Sequence, residues 1–187
     1  FGIKVKRDLE IAEKFAEISR RNGNPNTLVL NWTKNSHEGV IKIADTLNSA
    51  GIATNTTLSF QSFHEPTLEA IQRANIKIDT YASLKAAYHD KGLATYTELI
   101  LGLPEETLET FLDGVERSLT PRLQDQLSIY LLVMLENTHL AEPETRAKYA
   151  LETRKTAVGL NRRRFKYPRF GEDEIVVSTS TMPRNDW

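Results

Sequence analysis

The sequence contains no cysteine. That excludes disulfides, a thiol nucleophile, a cysteine zinc site and any cysteine-ligated iron–sulfur cluster within these residues. No apolar run approaches the roughly 20 residues that a membrane-spanning helix requires. The opening Phe1-Gly2-Ile3-Lys4-Val5-Lys6 has no long apolar stretch and so is not a signal peptide. It also lacks an initiator Met, and residue 1 reads as a cut point. These absences describe a soluble, cytoplasmic protein. Charge of one sign is scarce too: 24 basic residues face 25 acidic ones, for a net charge of −1. A basic nucleic-acid footprint is therefore missing, and no membrane partner is expected. The local cluster Asn161-Arg162-Arg163-Arg164-Phe165-Lys166 reads as a solvated tail segment ahead of the alternative, a specific anion site. There is no glycine-rich phosphate loop, nucleophile elbow or pair of catalytic carboxylates. The 4 histidines, His37, His64, His89 and His139, are scattered, lack metal-ligand spacing and read as surface or helix-edge residues.

What is present is an alternation. With 187 residues, 40% apolar and 26% charged, the chain has the size and composition of one domain with a sizeable core. Asp8 to Arg21 places apolar residues at the helical period, and the turn residues from Asn22 to Asn26 end it. Thr27 to Trp32 reads as a buried strand. A second helix runs from about Ser36 to Ala50, where Gly51 stops it. Thr54 to Phe60 is strand-like, and Glu65 to Arg73 a helix with Pro66 in its first turn. Tyr81 to Asp90 is helical, Ala94 to Leu101 a strand, Glu105 to Leu119 a helix and Leu127 to Leu135 a nearly continuous apolar strand. Beyond it, Pro143 to Leu160 reads as a charged helix and Glu174 to Thr179 as a short strand. Alternating strands and helices predict parallel, right-handed βα units, an α/β class. A complete doubly wound sheet and part of a barrel both fit that pattern.

In parallel α/β folds ligands gather where strands end. Asn31 and Thr33 close the first strand, Ser59, Gln61 and Ser62 the second, Glu98 and Gly102 lie on the third, and Glu136 and Asn137 follow the fourth. Such a rim suits a zwitterionic or hydroxylated small molecule. Glu98, set among Tyr96, Thr97 and Leu99-Ile100-Leu101, is costly there unless hydrogen-bonded. Two readings stand at this point: it receives a ligand diol, or it forms a structural ion pair. Gly102-Leu103-Pro104-Glu105-Glu106 turns from strand into helix, with Gly102 permitting close backbone approach and two acidic residues opening the helix.

Taken in order, these segments resemble the radical S-adenosylmethionine (SAM) superfamily. Glu98-Leu-Ile-Leu-Gly-Leu-Pro-Glu-Glu-Thr resembles its fifth-strand motif. Ser59-Phe60-Gln61-Ser62, followed by Leu68, Ile71 and Arg73, resembles its fourth-strand pattern. Phe1-Gly2-Ile3 with Arg7-Asp8, and the closing Glu174-Ile-Val-Val-Ser-Thr, are similar to the cobalamin-dependent branch. The resemblance implies a partial TIM-like (β/α)6 barrel, covering about strands 3 to 6 and a C-terminal extension. It also implies site roles. Gln61 and Arg73, twelve residues apart, would hold the methionyl carboxylate of SAM, and Glu98 the ribose hydroxyls. Asn31 would face SAM from the end of the third strand, and Val133 and its neighbours would meet the adenine. Arg73 suits a carboxylate as a permanent cation, and Glu98 can accept from two hydroxyls.

The resemblance implies more than these residues can hold. The family's three-cysteine motif for a 4Fe-4S cluster lies after the first strand, and no such residues occur here. The cobalamin-binding domain of that branch is likewise outside this sequence. The implied enzyme acts on a small-molecule substrate, as a cobalamin-dependent methyltransferase or an oxidative cyclase at an unactivated carbon, and this piece is expected to be inactive alone. A cobalamin-independent enzyme of methylthiotransferase or porphyrinogen-oxidase type, and a non-catalytic binding module, are the alternatives. A partial barrel is also expected to expose a sheet edge, which self-association or the terminal segment would cover.

Overall fold

The computed structural model describes residues 1–33, 38–54, 56–57, 60–74, 78–119, 126–156 and 173–187. Helix α1 spans Val5–Asn22 and α2 Glu38–Asn48. Asp8 opens α1: it is fully buried, accepts the Gly2 N–H at 2.8 Å and pairs with Arg7. Burial alone would raise its pKa, but the bonds from Arg7 and the Gly2 N–H hold the carboxyl below the usual range. Gly23, in the left-handed conformation at φ 72°, ends α1 by donating to the Ser19 carbonyl. The predicted second helix begins at residues outside those described, but its body is present as α2.

Strand β1 is Thr56–Thr57, α3 is Glu65–Ala70, α4 is Ile78–His89 and β2 is Thr95–Leu101. Helix α5 is Leu108–Ser118 and β3 is Gln126–Leu131. These three strands form one sheet in the order β1-β2-β3, with β1 and β2 parallel and Thr56 facing Thr95. The predicted strand at Thr27–Trp32 is reduced to a parallel bridge between Thr27 and Ala53. The α/β class and a parallel strand pair thus follow the expectation.

The charged helix expected from Pro143 to Leu160 is a correction. Helix α6 covers only Pro143–Lys148, and Glu152–Thr156 is a strand, β4. Ala150 at φ 46° breaks the helix, and β4 pairs antiparallel with β5, Asp173–Ser178. Thr153 and Thr156 suit a pleated surface, and pairing with β5 overrides the helical propensity of the charged residues. The pair is tied by Arg146, whose guanidinium donates to both Glu174 oxygens at 2.8 and 3.0 Å, while the Thr153 hydroxyl donates to the same carboxylate. The basic cluster at 162–166 lies outside the described residues.

The chain divides into two compact units: residues 1–60, 76–98 and 117–128 form one, and 61–75, 99–116 and 129–187 the other. In the first, Ala12 and Ala16 of α1 and Val40, Ile43, Ala44 and Leu47 of α2 are buried, together with Ile52, Tyr88 and Leu93. The small residues on α1 allow the two helices a close approach. In the second, Ala70, Leu103, Leu132, Met134, Tyr149, Leu151 and Val176 form one core, so the segment after β3 and the β4–β5 pair share their apolar face.

Candidate functional site

Gln61 and Arg73, the two residues that the resemblance singles out, have their side chains in contact. Gln61 is 6% exposed and sits at φ 60°, a left-handed conformation that L residues disfavour. Its carbonyl accepts the Ile100 N–H at 2.9 Å, which fastens the turn to β2 through a parallel bridge to Leu99. The chain then enters α3, and Arg73 follows that helix with its N–H bonded to the Leu68 carbonyl at 2.8 Å. From there its guanidinium donates to the Gln61 side-chain oxygen. A permanent cation beside an amide is a set that can hold a carboxylate through charge-assisted bonds.

Val133 lies just past β3, where the chain passes between two partners. The Leu132 N–H reaches the Leu101 carbonyl of β2 at 2.9 Å. The Leu132 carbonyl accepts from Val176 at 2.9 Å, and the Met134 N–H donates to the Glu174 carbonyl at 2.7 Å. Both of those groups point at β5. A trans peptide sets its carbonyl and N–H on opposite sides, so the N–H and carbonyl of Val133 face away from β5. Neither has a hydrogen-bond partner among the described residues. Val133 also lines a largely apolar cleft of about 300 Å³ with Ile100, Leu132, Met134, Thr138 and Leu140. An apolar cleft bordered by a free backbone donor and acceptor can hold a flat heteroaromatic ring.

Glu98 and Asn31 belong to the first unit. Along β2 burial alternates: Thr95, Thr97 and Leu99 are buried, while Tyr96, Glu98 and Ile100 are half-buried on the other face. Glu98 is therefore not on the closed side of the strand, and its carboxylate is spared the full desolvation expected. Asn31 is exposed, and its carbonyl accepts from the Phe1 amino group at 2.7 Å.

The structure corrects the reading of the Gly-Leu-Pro turn. Glu105 and Glu106 do not open a helix: α5 starts at Leu108, and Thr107 and Thr110 cap it reciprocally, each hydroxyl accepting the other's N–H at 3.1 and 2.9 Å. Glu106 is instead 1% exposed, and its Oε1 accepts from the Ser62 hydroxyl at 2.5 Å. Its Oε2 is buried with no partner among the described residues. Burial pushes this carboxyl up to about 7, against the lowering effect of the Ser62 bond. Neither Ser62 nor Glu106 stood out as a pair in the sequence. The Thr107-x-x-Thr110 cap was the available signal, because it starts the helix one residue after Glu106. The close approach permitted at Gly102, φ 93°, is made by Trp187: a Cβ there would lie 2.3 Å from the indole Cη2. Among the described residues no group of histidines or carboxylates could hold a metal ion, and no helix is long and apolar enough to cross a membrane.

No family model matches the chain. Among curated proteins it is 39% identical over 187 residues to the cobalamin-dependent radical SAM methyltransferase TokK of Streptomyces tokunonensis, covering 100% of this chain and 27% of that protein. It is 36% identical over 192 residues to the 2-(S-pantetheinyl)-carbapenam-3-carboxylate methyltransferase of Streptantibioticus cattleyicolor, with the same coverage of 100% and 27%. The chain thus spans about a quarter of the length of these relatives. Among solved structures it matches the radical SAM methyltransferase TsrM of Kitasatospora setae, determined with tryptophan and a SAM analogue, at a TM-score of 0.61 and 15% identity. That match covers 97% of this chain and 38% of the other, and it is a likeness of fold.

Proposed function

We propose, from the premise that the chain belongs to the cobalamin-dependent branch of the radical SAM superfamily, that the whole protein methylates an unactivated carbon of a small molecule and that this segment supplies part of its SAM site. The observation that carries the reading is the hydrogen bond from Arg73 to Gln61, which gathers a cation and an amide at one point. In this assignment Arg73 and Gln61 hold the methionyl carboxylate. The N–H and carbonyl of Val133 meet the donor–acceptor edge of the adenine, which lies in the cleft beside Ile100. Glu98 is assigned to the ribose hydroxyls and Asn31 to SAM. The fold is assigned as part of a TIM-like barrel.

SAM, a 4Fe-4S cluster and cobalamin would supply the electron and the methyl group when bound. The cluster's cysteines lie outside these residues, since the chain has no cysteine, so the segment alone is assigned no activity. What its own side chains do is bind and orient: Arg73 neutralises the carboxylate, Gln61 fixes its direction and the apolar cleft excludes water from the ring. Methylation is favoured over oxidative cyclisation because both curated relatives are named as methyltransferases.

The test uses the full-length protein, reconstituted anaerobically with iron, sulfide and cobalamin and supplied with a low-potential one-electron reductant and a candidate small-molecule substrate. S-adenosylhomocysteine or 5′-deoxyadenosine should form from SAM, and Arg73→Ala should weaken SAM binding by about 10- to 100-fold, the worth of one charge-assisted hydrogen bond. Unchanged affinity in Arg73→Ala refutes the carboxylate assignment, and absence of both products refutes the reaction.

A further inference from the structure

We propose that Glu106 is a positioning residue for the SAM carboxylate site: acting through Ser62, it holds Gln61 in the conformation that meets Arg73. This rests on reading Gln61 and Arg73 as the carboxylate clamp. Gln61 stands at φ 60°, which a residue with a Cβ adopts only when its surroundings impose it. On one side the turn is fastened by the Ile100 N–H on the Gln61 carbonyl. On the other side the restraint comes from Ser62, 2% exposed. The Ser62 Oγ accepts the His64 N–H at 3.0 Å and donates its own proton to Glu106 Oε1 at 2.5 Å. His64 is the residue from which α3 starts. The same hydroxyl therefore anchors the turn that presents Gln61 and the helix that leads to Arg73.

Glu106 can serve as a fixed post because its backbone is held as well. Its carbonyl accepts the Thr181 hydroxyl at 2.8 Å, and Thr181 belongs to a C-terminal turn anchored by the fully buried Met182. An apolar side chain of similar size would fill the space without leaving Oε2 buried and unpartnered. A carboxyl kept at that cost is doing something packing does not require. It accepts the one proton that fixes the Ser62 rotamer.

The experiment is titration of SAM into the full-length, cluster-loaded protein, followed by calorimetry, on Gln61→Ala, Glu106→Leu, Glu106→Gln, Ser62→Ala and the double variants with Gln61→Ala. Glu106→Leu should raise the SAM Kd about tenfold. Glu106→Gln, which keeps an acceptor for Ser62, should stay within about threefold. In the Gln61→Ala background, Glu106→Leu should add nothing, because residues acting through one another are not additive. Ser62→Ala removes the donor with little change in volume, so it tests the same coupling if Glu106→Leu fails to fold. An equal loss in the Gln61→Ala background would mean a general packing role and overturn the proposal, as would unchanged affinity in Glu106→Leu and Ser62→Ala. Affinity unchanged in Gln61→Ala and Arg73→Ala would instead remove the clamp itself, and the proposal with it.

Discussion

Glu106 gives the sharpest test of the interior, because its proton is held by burial. The carboxyl titrates at about 7 in the folded protein, against 4.5 as the ordinary value. Between those values the folded state keeps a proton that the unfolded chain has released. Stability from this group is therefore fully present below pH 4.5 and is lost as pH rises through about 7. At about 1.4 kcal/mol for each pH unit, the loss across that interval amounts to about 3 kcal/mol. Glu106→Gln does not titrate and still offers Ser62 an acceptor, so it provides the reference. Urea denaturation of both proteins from acid to mildly alkaline pH should show the stability difference drifting by about 3 kcal/mol across the window and levelling above it. Infrared spectra should show a protonated-carboxyl band near neutral pH that Glu106→Gln lacks. Parallel stability curves and no such band would refute the reasoning, since an ionised Glu106 would then be solvated or paired in the folded protein.

Other consequences concern the same unit. Gly102→Ala should destabilise by about 1–3 kcal/mol, since φ is 93° and the new methyl would meet the Trp187 indole; a lower denaturation midpoint with a shifted Trp187 emission, in a Trp32→Phe background, checks it. Glu174 titrates down at about 2, because Arg146 and then Thr153 hydrogen-bond its ionised form. Its contribution is present above pH 4.5 and lost as pH falls toward 2. Both partners are 29% exposed, so Arg146→Ala should cost roughly 1–2 kcal/mol, between surface and buried ion pairs. A midpoint unchanged at neutral pH would show the pair to be solvent-screened.

The sequence alone determined what depends on local period, spacing and composition. The apolar rhythm of α1 and its stop at Gly23 follow from helix geometry and from the one residue type that enters the left-handed region freely. Strand β2 was legible from its apolar run, whereas Gln61 and Arg73 were singled out only by the family resemblance, and it is the fold that sets their side chains together. The absent cysteines settled from composition that no thiolate-bound cluster is held by these residues. Tertiary structure decided the rest. Residues 152–156 became a strand because β5 lies beside them, which no local propensity encodes. Gly102 could be read as permissive, but not as the seat of Trp187, eighty-five residues away in the chain. Glu106 looked like a helix-opening acid, since its neighbours favour that, and only packing reveals it as a buried carboxyl bonded to Ser62. Burial of a charge-bearing group is set by what surrounds it in space, and its protonation follows from that burial.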